Sequence, residues 1–441
     1  HLRLIEKNSG RQYGNPQNPL LLSVRSGAAL SMPGAMDTFL NVGMNDMVTE
    51  NLSRKKEFAW SAWDSYRRLL QSWGMAFGLD RDVFDKEITR FKSKYHVSQK
   101  MDFSPGDMKE IAMAYKQLLH DNGIKFEQDL FKQLMAVINL VFASWSSKRA
   151  QVYREHLRIA VEWGTAVIIQ RMVFGNLGKL SGTGVIFTQN PKKKQQGVHL
   201  YGDFTLCSQG EDIVAGLVKP FPVSKSQKIN DNEDISSLEE LYPQIYKRLK
   251  SIATQLTEDF DYAPQEIEFT FESDKPEDLF ILQIRDLDMA RHQALNVFVL
   301  SMDKMTLCGR GIGIGGGAMN GRVAFNESDI GMIRSKYKND AVILVRPDTV
   351  PDDIGMIFDT DGLLTAKGGA TSHAAVTAVR LGKTAVVNCT SLVVHDDEKC
   401  CFLNEYEFHT GDLIAIDGYL GNVYKGNYPV EMRESYSEFH F

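Results

Sequence analysis

The chain has 441 residues, enough for two or three domains, and its 43% hydrophobic and 24% charged content is ordinary for a globular protein. A net charge of −6 argues against a general nucleic-acid binder, which needs a basic face, and no apolar run is long enough to cross a bilayer. The five cysteines (Cys207, Cys308, Cys389, Cys400, Cys401) are odd in number and lack Cys-x-x-Cys spacing. That argues against a disulfide framework or zinc site and for a reducing, cytoplasmic (or organelle-matrix) compartment.

In chain order, residues 19–28 read as a strand with Arg25 near its end, and residues 31–38 as a Pro-Gly loop. A glycine loop beside an arginine can cradle phosphates through backbone N–H groups and a bidentate guanidinium. From about 46 to 162 the pattern is helical. Phe58, Trp60, Trp63, Tyr66, Leu69 and Leu70, and later Leu134, Ile138, Val141 and Phe142, recur near period 3.6 and read as core. Asp64-Ser65-Tyr66-Arg67-Arg68 is given a scaffold role. At Thr165 the period changes: 166–176 reads as a strand leading into a turn, and 181–191 as a glycine turn, a strand and an Asn-Pro stop.

Residues 265–270 and 279–285 read as a hairpin. Glu266 and Glu268 are two apart and share a face, as do Gln283 and Arg285. Two carboxylates on one face can hold Mg²⁺ against nucleotide phosphates; a merely polar sheet face has the same pattern. Residues 286–308 read as helical and then loop-like. The glycines from Gly309 to Gly317 lack a following helix and are not a dinucleotide fingerprint. Gly362-Leu363-Leu364-Thr365-Ala366 reads as a strand, Gly368-Gly369 as a tight turn, and Thr371 or Ser372 as a helix cap. His373 then stands in the first helical turn, where orphan N–H groups and the dipole favour an anion. Spacing alone leaves it open whether it is a nucleophile or a capping residue.

Gly368-Gly369-Ala370-Thr371-Ser372-His373-Ala374-Ala375 resembles the phosphohistidine signature of the pyruvate phosphate dikinase and phosphoenolpyruvate synthase family, most members having Met where Ala370 stands. The segments around Arg25, 32–38, 166–176, 181–191, 201–216 and 265–285 resemble that family's nucleotide domain. The resemblance implies an α/β (α+β multidomain) fold. An ATP-grasp nucleotide domain would span 1–300 with a helical insertion at about 46–162. A linker at 301–308, a swivelling β/β/α phosphohistidine domain at 309–427 and a tail at 428–441 would follow. It implies ATP and Mg²⁺ as cofactors, His373 and Arg25 as catalytic, and Glu266 and Glu268 as metal ligands. Arg25, Gly34, Met36, Asp37, Thr38, Gln170, Met172, Val173, Gln283 and Arg285 would bind nucleotide, the backbone at 170–173 meeting the adenine edge. Thr371 matches a regulatory threonine. Gln189 stands where the family has arginine, and Glu266 where many members have aspartate.

The family's nucleotide-binding lysine near the start and its carboxyl-terminal barrel are not in this sequence. The final acceptor, pyruvate or another small molecule, is therefore expected on a missing barrel or a partner subunit. Phosphate or water would be the second acceptor, a homodimer is among the expectations, and no nucleic-acid or membrane partner is. A phosphotransferase with a phenol- or antibiotic-like acceptor and a catalytically silent regulatory relative are the alternatives.

Overall fold

The computed structural model describes the chain except residues 29–31, 33, 34, 158, 191–196, 211–219, 231–234, 288–294, 350–352, 397 and 434–441. For residues 156, 157, 161, 230, 295, 373, 374, 379 and 380 it describes the backbone alone. The chain forms two compact units, His1–Leu180 and Ser181–Phe441. The division falls inside the stretch expected as one nucleotide domain, so 1–300 as a functional domain stays a proposal. Among the described residues no helix is long and apolar enough to cross a membrane.

The first unit is a three-stranded sheet backed by helices. Its strands are β1 (Leu22–Gly27), β2 (Thr38–Val42) and β3 (Ala166–Arg171), in the order β2-β1-β3 and antiparallel throughout. The helices start where capping chemistry allows. Ser104 accepts from Asp107 N–H ahead of Pro105–Asp121, with Pro105 in the first turn, and Asp129 accepts from Phe131 and Lys132 N–H groups ahead of Leu130–Ser144. Leu22, Val24, Phe39 and Val42 of the sheet pack against Trp63, Tyr66, Leu70, Ile111 and Val137 of these helices. Phe142 departs from its expected place: it is 47% exposed while its neighbour Val141 is fully buried. The core-facing stripe of that helix passes through 134, 137 and 141, and position 142 lies beyond it.

The second unit opens with a sheet in the order β6-β5-β4-β7-β8. Its members are β4 (Gly182–Phe187), β5 (Tyr201–Leu206), β6 (Phe221–Pro222), β7 (Gln265–Phe271) and β8 (Leu279–Asp286). The strands in 166–176 and 181–191, neighbours in sequence, do not pair with each other: β3 pairs with β1, and β4 lies between β5 and β7. The glycines read as a turn ahead of β4 are strand residues. A Cβ on Gly184 would stand 2.4 Å from the Phe269 ring, and one on Gly182 2.5 Å from Thr205 O. Those glycines make room for Phe269 and Phe271, which pack with Phe204, Ile267 and the helix Pro243–Thr254 on one face of the sheet.

The later strands are β9 (Leu295–Phe298), β10 (Thr306–Arg310), β11 (Ile312–Gly315), β12 (Ala318–Ala324), β13 (Val342–Arg346), β14 (Gly362–Thr365) and β15 (Thr384–Val387). They are followed by β16 (Leu392–His395), β17 (Cys400–Leu403), β18 (Tyr406–His409), β19 (Leu413–Asp417), β20 (Asn422–Lys425) and β21 (Val430–Arg433). An eight-stranded sheet runs β10-β20-β19-β12-β13-β14-β15-β11, parallel from β12 to β15 with a helix after each of β12, β13 and β14. Its central strands are buried on both faces, as parallel strands between two layers must be. Ile343, Val345, Leu364 and Val386 face the small β16-β17-β18 sheet, and Leu344, Leu363, Ala385 and Val387 face the helices. The layering is thus β/β/α, as expected. The expected linker 301–308 is not loop throughout. Thr306 begins β10, which pairs with β20, and Met305 and Cys308 are buried. Of the stretch expected to be helical, Leu295–Phe298 is a strand paired with Val430–Arg433, so part of the expected tail is sheet too.

Candidate active site

In the first unit, β1 places Arg25 opposite Thr38 on one side and Ile168 on the other. Strand alternation then puts Arg25, Thr38 and Gln170 on one face, while Leu22 and Val24 turn to the core. Gly34 lies outside the described residues, but the end of its loop is held firmly. Ser147 Oγ donates to Ala35 O (3.3 Å), Asp37 N–H donates to Ser144 Oγ (3.2 Å), and Arg149 pairs with the Asp37 carboxylate at 3.0 Å. Asp37 is therefore a loop anchor, and Arg149 is a cation beside the loop that no local pattern announced, because it lies 112 residues away. Met36 is half-buried between these anchors. A cavity of about 370 Å³ adjoins them, lined by Gly27, Met32, Trp145, Ile159 and Trp163.

The expectation that the backbone at 170–173 meets the adenine edge is corrected at two positions, Gln170 and Met172. Met172 N–H donates to Leu21 O (2.9 Å), so it is not available to a nucleotide base. In this antiparallel register the backbone groups of 170 and 172 turn toward β1, and those of 171 and 173 turn toward the open edge. The backbone at Gln170 and Met172 is thus engaged with β1, and that at Arg171 and Val173 faces the other way.

In the second unit, β7 and β8 place Glu266 opposite Arg285 and Glu268 opposite Gln283. One extra residue on β8 shifts the register between Glu268 and Phe269. The bulge keeps Gln283 beside Glu268 while Ile281 stays beside Phe269 on the apolar face. Glu266 is 6% exposed and accepts from Arg285 Nη2 in an ion pair. Glu268 and Gln283 are half-buried. Across β4 the same face continues: Glu268 lies opposite Val185, and Val185 opposite Asp203. Asp203, Val185, Glu268 and Gln283 thus form a row across four strands, with Asp203 and Glu268 about 10 Å apart.

The histidine segment meets this row. His373 begins the helix His373–Arg380 at the carboxyl end of the parallel strand β14, where ligands collect in open α/β sheets. Gly368 turns the chain at φ 100°, and Ser372 caps the helix by accepting from Ala375 N–H (3.4 Å). Thr371 does not cap. Its N–H (2.8 Å) and hydroxyl (2.9 Å) both donate to Asp203 Oδ2. Beside that contact Ala370, Ala375 and Ala378 pack with Phe187 and Tyr201 of the sheet. The structure therefore brings the backbone of the histidine loop onto the sheet face that carries Glu266, Glu268, Gln283 and Arg285. Asp203 lies in the 201–216 segment, but nothing in its local spacing marks it.

The donor set suits Mg²⁺ but not a full protein cage. Among the described residues no three His, Cys, Asp or Glu side chains cluster as a metal site. Two strand carboxylates fit an ion that keeps its other positions for water and phosphate oxygens, as Mg²⁺ does.

Comparison with known proteins identifies the family. Residues 1–229 match the family model described as pyruvate phosphate dikinase, AMP/ATP-binding domain, and residues 338–421 the one described as PEP-utilising enzyme, mobile domain. The chain is 35% identical to the pyruvate, phosphate dikinase of Rhizobium meliloti over 99% of its own length and 51% of that relative. It is 35% identical to the Clostridium symbiosum enzyme over 98% of its own length and 51% of that relative, and 35% identical to the chloroplastic maize (Zea mays) enzyme over 97% and 47%. It spans about half the length of these curated relatives. The chain belongs to the pyruvate phosphate dikinase family.

Proposed function

We propose that this chain carries the nucleotide and phosphohistidine portions of an ATP-dependent phosphotransferase of the pyruvate phosphate dikinase type. What supports the reading most is the meeting of the His373 loop with the sheet face bearing Glu266, Glu268, Gln283 and Arg285. In this reading an imidazole nitrogen of His373 attacks the β-phosphorus of ATP. An N–P bond forms, the P–O bond to the α-phosphate breaks, and its electron pair leaves on AMP. The γ-phosphoryl group then passes to phosphate or water, and the group left on His373 passes to the acceptor, pyruvate where a barrel supplies its site. Arg25 and Arg285 neutralise phosphate oxygens, and Glu266 keeps the Arg285 guanidinium in place. Glu266 and Glu268 would hold Mg²⁺, which supplies charge neutralisation between the phosphates. Thr38 and Gln170 share the Arg25 face and are assigned to the nucleotide with it.

Labelled ATP tests this. Protein incubated with β-labelled ATP should take up acid-labile, base-stable label, with AMP as the nucleotide product, and His373→Asn should abolish the uptake without changing thermal unfolding. Label arriving only from the γ position, with ADP as product, would make the chain an ordinary kinase. Undiminished label on the His373→Asn protein would remove the histidine from the reaction.

A further inference from the structure

Cations around the carboxyl ends of β12, β13 and β14 differ in how they are balanced. Arg346 ends β13 and pairs with Asp396 (3.2 Å) and Asp353 (3.7 Å). Lys399 pairs with Asp329 (2.9 Å) in the helix that follows β12. Lys367, two residues beyond β14, is exposed, and among the described residues its ammonium has no hydrogen-bond or ion-pair partner. Its backbone is nevertheless fixed. Lys367 N–H donates to Pro347 O (3.1 Å), and its carbonyl accepts from the hydroxyl of Thr365 (2.6 Å), a fully buried residue. Gly368 then turns the chain at φ 100° toward the helix that begins at His373. A charged, exposed side chain is thus set on a backbone pinned from both sides, in the loop that leads to the histidine.

We propose that the Lys367 ammonium holds the phosphoryl group carried by His373, as the counter-charge that stays with the histidine once the nucleotide's own cations are no longer beside it. The inference rests on the phosphotransferase reading above and adds a residue to it. A phosphorylated side chain carries close to two negative charges at neutral pH. Arg25 and Arg285, assigned to the nucleotide, belong to β1 and β8, whereas Lys367 belongs to the loop that bears His373 and accompanies the group wherever that loop goes. The orphan N–H groups at the helix start contribute partial positive charge, and the lysine contributes a full one. Of Arg346, Lys399 and Lys367, only Lys367 takes up an anion without giving up a carboxylate among the described residues. No bond to the lysine forms or breaks; its N–H groups donate to phosphoryl oxygens. Phosphoryl transfer passes through a loose, metaphosphate-like state in which the moving group carries less charge than the resting dianion. A cation on its oxygens therefore stabilises the phosphorylated histidine more than the state through which water removes the group, and it lengthens the life of the carrier.

That lifetime tests the proposal. The whole chain is phosphorylated with phosphoramidate, which needs no nucleotide, then freed of reagent and followed by loss of histidine-bound label and by phosphorus NMR. Lys367→Ala should lose label about tenfold faster than wild type, the size of one charge-assisted hydrogen bond discounted for exposure, and its phosphorus resonance should move. Lys367→Gln, which donates without charge, should resemble the alanine variant, and Lys367→Arg should restore both readouts. Thermal unfolding should not change, since the side chain is exposed. A wild-type lifetime in Lys367→Ala would overturn the assignment. So would a shortened lifetime that Lys367→Arg fails to restore, because the fault would then lie in the loop and not in the charge. A wild-type chain that takes label from phosphoramidate but none from Mg·ATP would overturn the phosphotransferase reading alone, and the lifetimes would still decide the part played by Lys367.

Discussion

Two buried aspartates in this molecule do opposite things. Asp64, fully buried on the helix Ser61–Ala76, is held by Arg67 at 2.9 Å, Arg68 at 2.9 Å and Lys100 at 3.5 Å. It also accepts from Asn176 Nδ2 (3.2 Å), just beyond β3. Burial alone would raise its carboxyl; the charges of Arg68, Lys100 and Arg67 outweigh burial and hold it well below the ordinary carboxylate range. Two of its partners come from its own helix, so the cluster is made as soon as the helix forms. Asp203 instead accepts from the loop of a different layer, through a backbone amide and a neutral hydroxyl. A carboxylate surrounded by cations on its own element is built to stay. One that receives donors from a loop 168 residues away ties two layers of the second unit together.

The sharpest break of that comparison is Asp64→Ala. It removes the buried carboxylate that Arg67 and Arg68, both 5% exposed, share, and should cost about 3–5 kcal/mol in denaturant unfolding. A cost below about 1 kcal/mol would mean that the arginines find other partners and the cluster is not structural. The pH dependence follows from the sign of the shift. A carboxyl held lower in the folded than in the unfolded chain contributes stability above the ordinary carboxylate range, and that stability is lost as pH falls through the range toward the folded value. Asp64→Asn cannot titrate there. The advantage of wild type over Asp64→Asn should therefore be full near pH 7 and shrink toward about pH 3, read as the gap between their urea midpoints.

Reading the sequence recovered much of the fold because its periods are clean. The β7–β8 hairpin and the strand–turn–helix at His373 follow from local pattern. It erred where the deciding partner is far away. Gly182 and Gly184 look like a turn until Phe269 and Phe271 stand beside them. Residues 306–308 look like linker until β20 pairs with them. The candidate site divides the same way. Glu266, Glu268, Gln283 and Arg285 are legible from alternation within one hairpin. Arg149, opposite Asp37, and Asp203, opposite Thr371, depend on contacts 112 and 168 residues long that no window contains.

The Glu266–Arg285 pair lies between the two aspartates in character. Both partners sit in one hairpin, as at Asp64, but Arg285 remains 23% exposed where the Asp64 arginines are 6% exposed. Arg285→Ala should cost about 1–3 kcal/mol, because it leaves the Glu266 carboxylate buried without its donor. It should also weaken Mg·ATP-dependent labelling of His373. Glu268→Gln should weaken labelling with little change in unfolding, since Glu268 is half-buried. If Arg285→Ala lost stability alone and labelled normally, the pair would belong with Asp64 as scaffold.

The smallest effect distinguishes glue from surplus within the Asp64 cluster. Lys100 approaches Asp64 at 3.5 Å, against 2.9 Å for each arginine, and its side chain is 20% exposed. Its ammonium also lies 5.9 Å from the Trp60 ring centroid. Lys100→Ala leaves Asp64 paired to both arginines and removes a longer, partly solvated attraction, so it should cost about 0.5–1 kcal/mol. That cost should fall further in molar salt, where partly exposed charges are screened, while the Asp64→Ala cost, arising in the interior, should hardly change. Measuring both variants at low and high salt separates the two contributions. A Lys100→Ala cost as large and as salt-insensitive as that of Asp64→Ala would show that the lysine is an integral member of the buried network, and that two arginines alone do not hold the aspartate.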